Sequence, residues 1–440
     1  MDRYDTIVVG AGIAGLTTAR LLHGQGHRTV VLEARDRIGG RVHTDRADGW
    51  LTDLGASWIH GITDSPVASA ATAFGMPMRE FTVGGYQPDS RPIAYFDPSG
   101  TRLSADEARA HVADIRRVDA DLGGIIAGSD PRASYRDVTE QALRAQRWDA
   151  ERTARVREYF EHRSEEQYGA WIEDLAAHGL DDDAIDGDEV VFPEGYDVLA
   201  ERLSLGVDVR LGQIVREVHW HTDGVTVITD ADQWHARSAV VTVPVGVLAE
   251  GGLTISPALP EPVSGALSRL TMNAFEKVFL RFPERFWDPD VYALRAQGPA
   301  ARWWHSWYDL TDLHGQPTLL TFAAGPAGIG IRHLTDAEVG AAAAEPLRRL
   351  YPEGYVDPIH VRVTRWWADP FARGSYAYMR VGSTTSDHDD LATPIGGVLH
   401  LAGEATWTDD PATVTAALCS GHRAAERVLG HTVAIEALWA

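Results

Sequence analysis

Hydrophobic positions along this 440-residue chain fall into two alternating patterns. Short apolar runs bounded by turn residues mark buried strands, and apolar residues three to four apart mark helices. The first run, Thr6-Ile-Val-Val9, leads into a helical stripe at Leu16, Ala19 and Leu22, then a second run, Thr29-Val-Val-Leu32. Strand patterns return at 207–211, 224–229 and 239–243, where Pro244 stops the last. Lys277–Phe282 and Trp303–Tyr308 read as strands of a separate sheet, and Val398–Gly403 as a buried strand. The chain closes on a helix from Thr413 to Gly430, with Val414, Ala417, Leu418, Gly421, Ala425, Val428 and Leu429 on one stripe. Between 81 and 189 the pattern is helical and charged, and the acidic stretch Asp181–Glu189 reads as a solvated loop. This alternation predicts one domain assembled from 1–80, 190–270 and 385–440. A second is built from the insertions 81–189 and 271–384.

The turn between the first strand and the helix that follows it carries Gly10-Ala-Gly12-Ile-Ala-Gly15, and the second strand ends on Glu33. Gly10 lets the chain leave the strand sharply. Gly12 removes a side chain where backbone approaches a pyrophosphate, and Gly15 lets the helix pack on the sheet. The helix N-terminus then offers free N–H groups to phosphate, and Glu33 can accept from ribose hydroxyls. Strand, glycine loop, helix and strand-end acid occur in the order a dinucleotide needs. Glu33-Ala-Arg35-Asp-Arg37-Ile-Gly39-Gly40-Arg41 follows directly and favours a flavin over a nicotinamide dinucleotide.

A net charge of −23 excludes the basic footprint of a nucleic-acid binder. It suits cationic small molecules, and equally serves solubility. The single cysteine, Cys419, forbids an intrachain disulfide and fits a reducing compartment. No apolar run reaches the length of a membrane span. A cytoplasmic location, with no membrane or nucleic-acid partner and no metal site, is the expectation.

Several further motifs stand in a fixed order: Leu54-Gly-Ala-Ser-Trp-Ile-His-Gly61, Val191-Phe-Pro-Glu-Gly-Tyr196, Phe275-Glu-Lys277-Val-Phe279, Arg365-Trp366, Gly374-Ser-Tyr376 and Ala402-Gly-Glu404-Ala-Thr406. With the glycine loop they make the chain resemble the flavin-dependent amine oxidases, most closely the polyamine oxidases, over nearly its whole length. The resemblance implies an α/β fold: a Rossmann-type FAD-binding domain with a second α+β substrate-binding domain of mixed sheet plus helices. It implies that Gly10, Gly12, Gly15, Glu33, Arg35, Gly40 and Arg41 hold the adenosine and pyrophosphate of FAD. By the same resemblance Gly55, Ala56, Ser57 and Trp58 line the isoalloxazine and Val215 contacts adenine. Gly403 and Glu404 lie near the ribityl phosphate, and Thr413 and Val414 begin the helix under the flavin C2 carbonyl. Lys277 matches a lysine that holds a water against flavin N5, with Trp366 beside it. Read on its own, Lys277 is also compatible with a strand-edge lysine snorkelling to solvent.

Where monoamine oxidases carry the flavin-linking cysteine this chain has Ser375, so the FAD is expected to be non-covalent. The family's aromatic cage is half present, with Tyr376 as one wall and Thr413 in place of the other. His60 and Glu161 are candidates for handling substrate ammonium groups, Glu161 being equally readable as a surface helix acid. The tryptophans from 303 to 307 either line a substrate tunnel or pack the core. The implied reaction is oxidation of a polyamine-like amine at a C–N bond, with dioxygen returning the flavin to its oxidised form. An amino-acid oxidase, with Arg373 or Arg380 as carboxylate clamp, an apolar-site desaturase and a non-enzymatic flavin scaffold are the alternatives. The oligomeric state is left open.

Overall fold

The computed structural model describes residues 4–47, 49–82, 92–180 and 186–439. Strand β1 (Tyr4–Val9) leads into helix α1 (Ile13–Gly24) and strand β2 (Thr29–Leu32), and β1 pairs parallel to β2 with Ile7 opposite Val30. On its other side β1 runs parallel to the long strand Gln233–Val241. That strand pairs antiparallel with Gly224–Thr229 through its first half and parallel with Leu399–Leu401 through its second. The sheet order is 254–256, 215–221, 224–229, 233–241, β1, β2, 209–210. Central strands are β-branched and buried on both faces, as a layered parallel sheet requires.

Alternation along β1 sends Val8 to one core and Ile7 and Val9 to the other. Over the Val8 face lie α1 and the terminal helix Val414–Leu429, which is capped by Thr413 at its start and by left-handed Gly430 at its end. The two helices touch backbone to backbone. A Cβ on Gly421 would stand 2.3 Å from the Ala14 carbonyl oxygen, and the Thr18 hydroxyl donates to the carbonyls of both Ala14 and Gly421 at 2.9 Å.

A second sheet runs 360–363, 275–281, 318–324, 306–309, 293–296, 93–96. Its pairs are antiparallel except the last, so it is mixed. Val278 and Leu280 pack with Val339, Ala343 and Leu347 of the helix Asp336–Leu350. Phe275, Lys277 and Phe279 occupy the opposite face. The helices Ala105–Gly128, Tyr135–Gln146 and Ala150–Tyr168 form their own apolar cluster beside it. The whole is an α/β protein with an α+β second layer.

Local differences from the sequence pattern have simple causes. Only the last three residues of the 303–308 run are strand, in Ser306–Asp309, and Trp303 is half-exposed. Only Val209–Arg210 of 207–211 pairs with the sheet. Residues 181–185 of the acidic stretch lie outside the described residues. Glu189, at its end, is buried rather than solvated, because Val190–Val191 pairs between Trp58–Ile59 and Arg79–Glu80. Among the described residues no helix is long and apolar enough to cross a membrane, and no His, Cys, Asp or Glu cluster could hold a metal ion.

The Gly421–Ala14 contact generates a test. Gly421→Ala forces a methyl onto a backbone oxygen that cannot move without shifting α1, and overpacking of this kind costs about 1–3 kcal/mol. Thermal unfolding should show a lower Tm than the parent protein; an unchanged Tm would contradict the close packing.

Candidate active site

One cavity of about 540 Å³ runs from the glycine loop of α1 into the space between the two sheets. At its nucleotide end lie Gly10, Gly12, Glu33, Arg35, Gly40, Arg41, Val215 and the start of the terminal helix at Thr413 and Val414. Nothing lies within 4 Å of a Cβ built on Gly12, so the loop presents bare backbone to the cavity. Glu33 is buried and held in place by N–H donors from Ala11 (2.7 Å) and Arg35 (2.9 Å). Each of its oxygens keeps a lone pair for a ribose hydroxyl. Arg35 pairs with Asp369 at 2.6 Å, and Arg41 with Glu404 at 2.8 Å. The second Glu404 oxygen is buried without a hydrogen-bond partner and Gly403 lies beside it on the wall. An orphaned acceptor, a bare glycine turn and an oriented carboxylate together fit a dinucleotide. Gly15 does not line the cavity. A Cβ there would stand 2.0 Å from the Gly10 carbonyl oxygen, so its function is to pack helix against turn, not to touch the cofactor.

Deeper in, Lys277 projects from the strand Phe275–Arg281 and is buried. Its ammonium donates to the carbonyls of Asp53 (3.1 Å) and Gly55 (2.6 Å) and to the Ser57 hydroxyl. It also lies 5.5 Å from the Trp58 ring centroid. Gly55 itself packs against the Arg41 backbone, where a Cβ would overlap the Arg41 carbonyl oxygen at 1.7 Å. Gly55, Ala56, Ser57 and Trp58 all line the cavity. Burial pushes Lys277 down to about 8, opposed by the charge of Asp53. Trp366 is buried beside them and donates its indole N–H to the Leu54 carbonyl at 2.9 Å. The lysine is therefore a buried staple, not a strand-edge side chain reaching for water. Lys277 is also the sole lysine among 40 Lys and Arg residues, a signal in the sequence that motif reading passes over.

The end of the cavity beyond Lys277 is aromatic. Phe322 is the register partner of Lys277, and its ring lies 4.7 Å from Phe275 and 5.5 Å from Tyr308. Tyr376 packs 5.5 Å from Phe275 and donates its hydroxyl to the Gln167 carbonyl. Behind this wall sits Glu166, which accepts from the Tyr308 hydroxyl at 2.7 Å and faces His305 at 3.2 Å. Burial pushes the Glu166 carboxyl up to about 7 and the His305 imidazole down to about 3, so His305 is neutral. His60, half-exposed on the wall, contacts the buried Glu189 at 2.5 Å.

Two expectations are corrected here. Glu161 does not line the cavity; it pairs with Arg136 at 3.1 Å on another side of its helix, and Glu166 is the acid of that helix that lines the cavity. None of the tryptophans from 303 to 307 lines it either. Trp307 is buried in the sheet's helix-facing core and Trp304 packs with it, while Tyr308, the next residue along, supplies the wall. Of the two arginines considered as carboxylate clamps, Arg380 is not on the wall, and Arg373 is paired with Glu250 at 2.6 Å.

Glu33→Ala removes the oriented acceptor at the nucleotide end. A hydrogen bond to a charged group is worth about 1.5–3 kcal/mol, or roughly 10- to 150-fold in Kd. Dinucleotide retained after dialysis should fall accordingly, and full retention would show that Glu33 is not the ribose ligand.

Comparison with known proteins matches this geometry. A family model described as flavin containing amine oxidoreductase covers residues 13–429. Polyamine oxidase 2 of Arabidopsis thaliana is 30% identical over 428 residues, spanning 96% of this chain and 87% of that protein. Lysine-specific histone demethylase 2 of Homo sapiens is 31% identical over 441 residues, spanning 96% of this chain and 53% of that protein. The chain thus spans about half the length of that demethylase. A wild-type putrescine oxidase bound to putrescine superposes with a TM-score of 0.80 over 98% of this chain and 100% of that one, at 22% identity, which is a likeness of fold. The chain belongs to the flavin-containing amine oxidoreductases, an oxidoreductase family whose members use FAD.

Proposed function

We propose that this enzyme oxidises a C–N bond of a polyamine or related extended amine, with dioxygen as the final acceptor. The products are then an imine, hydrolysed to aldehyde and amine, and hydrogen peroxide. The observation that carries the reading is Glu166: a carboxyl on the cavity wall, its side chain only 4% exposed, beside the aromatic residues that adjoin Lys277. Bound FAD supplies the acceptor for the hydride equivalent, and the protein supplies placement, dryness and charge.

The wall of Phe275, Phe322, Tyr308 and Tyr376 is apolar enough to favour a neutral amine over an ammonium at the reacting end. A distal ammonium on the same substrate finds its counter-charge at Glu166. Thr413, in the place of a second cage aromatic, leaves room for an unbranched chain. Trp366 and the 54–58 segment close the other side against water. The first turn of the terminal helix, at Thr413 and Val414, turns its positive end toward the cavity and stabilises negative charge gathered there during reduction. His60 and Glu189 offer a second polar station for a longer amine.

The test combines substrate and pH. Diamines and spermidine should exceed benzylamine and leucine in kcat/KM for peroxide release; the reverse order would contradict the proposal. Glu166 has its carboxyl raised by burial, with Arg295, Tyr308 and Ser306 opposing that rise. It is therefore charged above about pH 7 and neutral below. The KM for a diamine should rise as pH falls through 7. Glu166→Gln should abolish that limb and lower kcat/KM about 10- to 100-fold, the worth of a charged hydrogen bond. A variant with the parent's profile would remove Glu166 from substrate binding.

A further inference from the structure

The Glu166 carboxyl does not stand alone. Its neighbour in the chain, Glu165, is buried too, and the two point about 100° apart around the helix Ala150–Tyr168. One side chain lies between them. His305, the residue before the strand Ser306–Asp309, presents Nδ1 to a Glu166 oxygen at 3.2 Å and Nε2 to a Glu165 oxygen at 3.8 Å. The Ser306 hydroxyl, 3.1 Å from the same Nδ1, also bonds the Glu166 carboxyl. The other Glu166 oxygen accepts from the Tyr308 hydroxyl at 2.7 Å. Glu165 in turn accepts from Arg302 at 2.8 Å, and the Arg302 side chain is 37% exposed. Acid, imidazole and acid thus run in series from the cavity toward the surface. We propose that Glu166, His305 and Glu165 form a path by which a proton displaced when an ammonium docks leaves the aromatic end of the cavity. His305 and Glu165 are then positioning residues that act through Glu166.

The chemistry calls for such an exit. Burial favours the neutral Glu166 carboxyl, whereas an ammonium needs the carboxylate. Once substrate fills the cavity, the way back through it is blocked. The Glu166 O–H gives its proton to His305 Nδ1 while the Nε2–H gives one to the Glu165 carboxylate, which releases it to solvent beside Arg302. No electrons move, and Glu166 is left as the carboxylate that pairs with the ammonium. Passing both protons together avoids a buried imidazolium, which the surroundings oppose. Burial, Arg295 and Arg302 push His305 down to about 3, and the parallel ring of His162 lies 3.7 Å away. His162 is itself buried and neutral, and its Nε2 has no hydrogen-bond partner. Burial, helped by Glu173 and opposed by Arg302, raises Glu165 to about 7, level with Glu166. The step from Nε2 to Glu165 is the longest, and shortening it by about 1 Å reaches hydrogen-bond length. Packing alone does not ask for this set, since apolar residues of similar size fill such a space with no charge to desolvate.

The path rests on Glu166 as counter-charge, and the two fail by different readings. Photoreduced holoenzyme kept free of oxygen binds an amine without oxidising it. The amine that the parent oxidises best is mixed with it in weak buffer just below pH 7, where Glu166 carries its proton. Flavin absorbance follows binding, and an indicator dye follows protons. The parent should release protons in step with binding. His305→Phe keeps a flat ring against His162 but has no nitrogen, and Glu165→Gln keeps an acceptor for Arg302 but cannot carry the proton. In each, the amine should still bind, and proton release should slow by roughly tenfold or more, a modest share of what a positioned proton carrier contributes. A group that only packs would alter affinity and leave release in step with binding. Release as fast as the parent's in either folded variant, or no proton release by the parent, overturns the path. Glu166→Gln reports on affinity instead: binding as tight as the parent's removes Glu166 as the counter-charge.

Discussion

The buried ammonium of Lys277 ties the molecule together. It joins a strand of the second sheet to the 53–57 segment, of which Leu54, Gly55, Ala56 and Ser57 line the cavity. A buried charge is tolerated only where several oxygens replace its water. Three do so here, and together they hold the 53–57 segment against the strand Phe275–Arg281 along the cavity. Arg281 repeats the device one pair of residues beyond Phe279, reaching Thr52 from the same strand face and stacking 4.5 Å over the Trp50 ring. The two cations hold a segment that is otherwise short on regular structure.

Around that staple the cavity separates its tasks by polarity. The nucleotide end presents backbone, an oriented carboxylate and an unpaired Glu404 oxygen. The middle is closed by Trp58 and Trp366. The far end is an aromatic wall with the Glu166 carboxyl set into it. The strand Phe275–Arg281 serves two masters by alternation, with Val278 and Leu280 in the helix-covered core and Phe275 and Lys277 on the cavity.

What the sequence made legible follows the range of the interactions. The glycine turn, Glu33 and the terminal helix are local patterns with short-range causes, and they stand in the structure as their spacing implies. Lys277 inside an apolar strand was readable as a buried cation in need of partners, but the partners, about 220 residues away in the chain, were not. Glu161 and Glu166 show the limit most clearly. They lie on one helix, five residues apart, which turns the second roughly 140° from the first. Nothing in the helix's own pattern says which face meets the cavity; packing against the second sheet decides it. Trp307 and Tyr308 repeat the lesson on a strand, where adjacent residues face opposite ways and the larger one took the core. Gly15 belongs to the cofactor-binding motif, although its own task is packing.

The central claim is that Lys277 joins the two halves of the site and takes part in turnover, and the direct measurement is stopped-flow kinetics of Lys277→Met. The substitution keeps the apolar stem and removes the charge, so FAD should remain bound. With the diamine that the parent oxidises best, both flavin reduction and reoxidation by dioxygen can be followed in the same protein. The account predicts that at least one of these rates falls by about tenfold or more, the cost of losing one interaction of about 1.4 kcal/mol in the transition state. Parent rates in both half-reactions, with FAD fully bound, would contradict it.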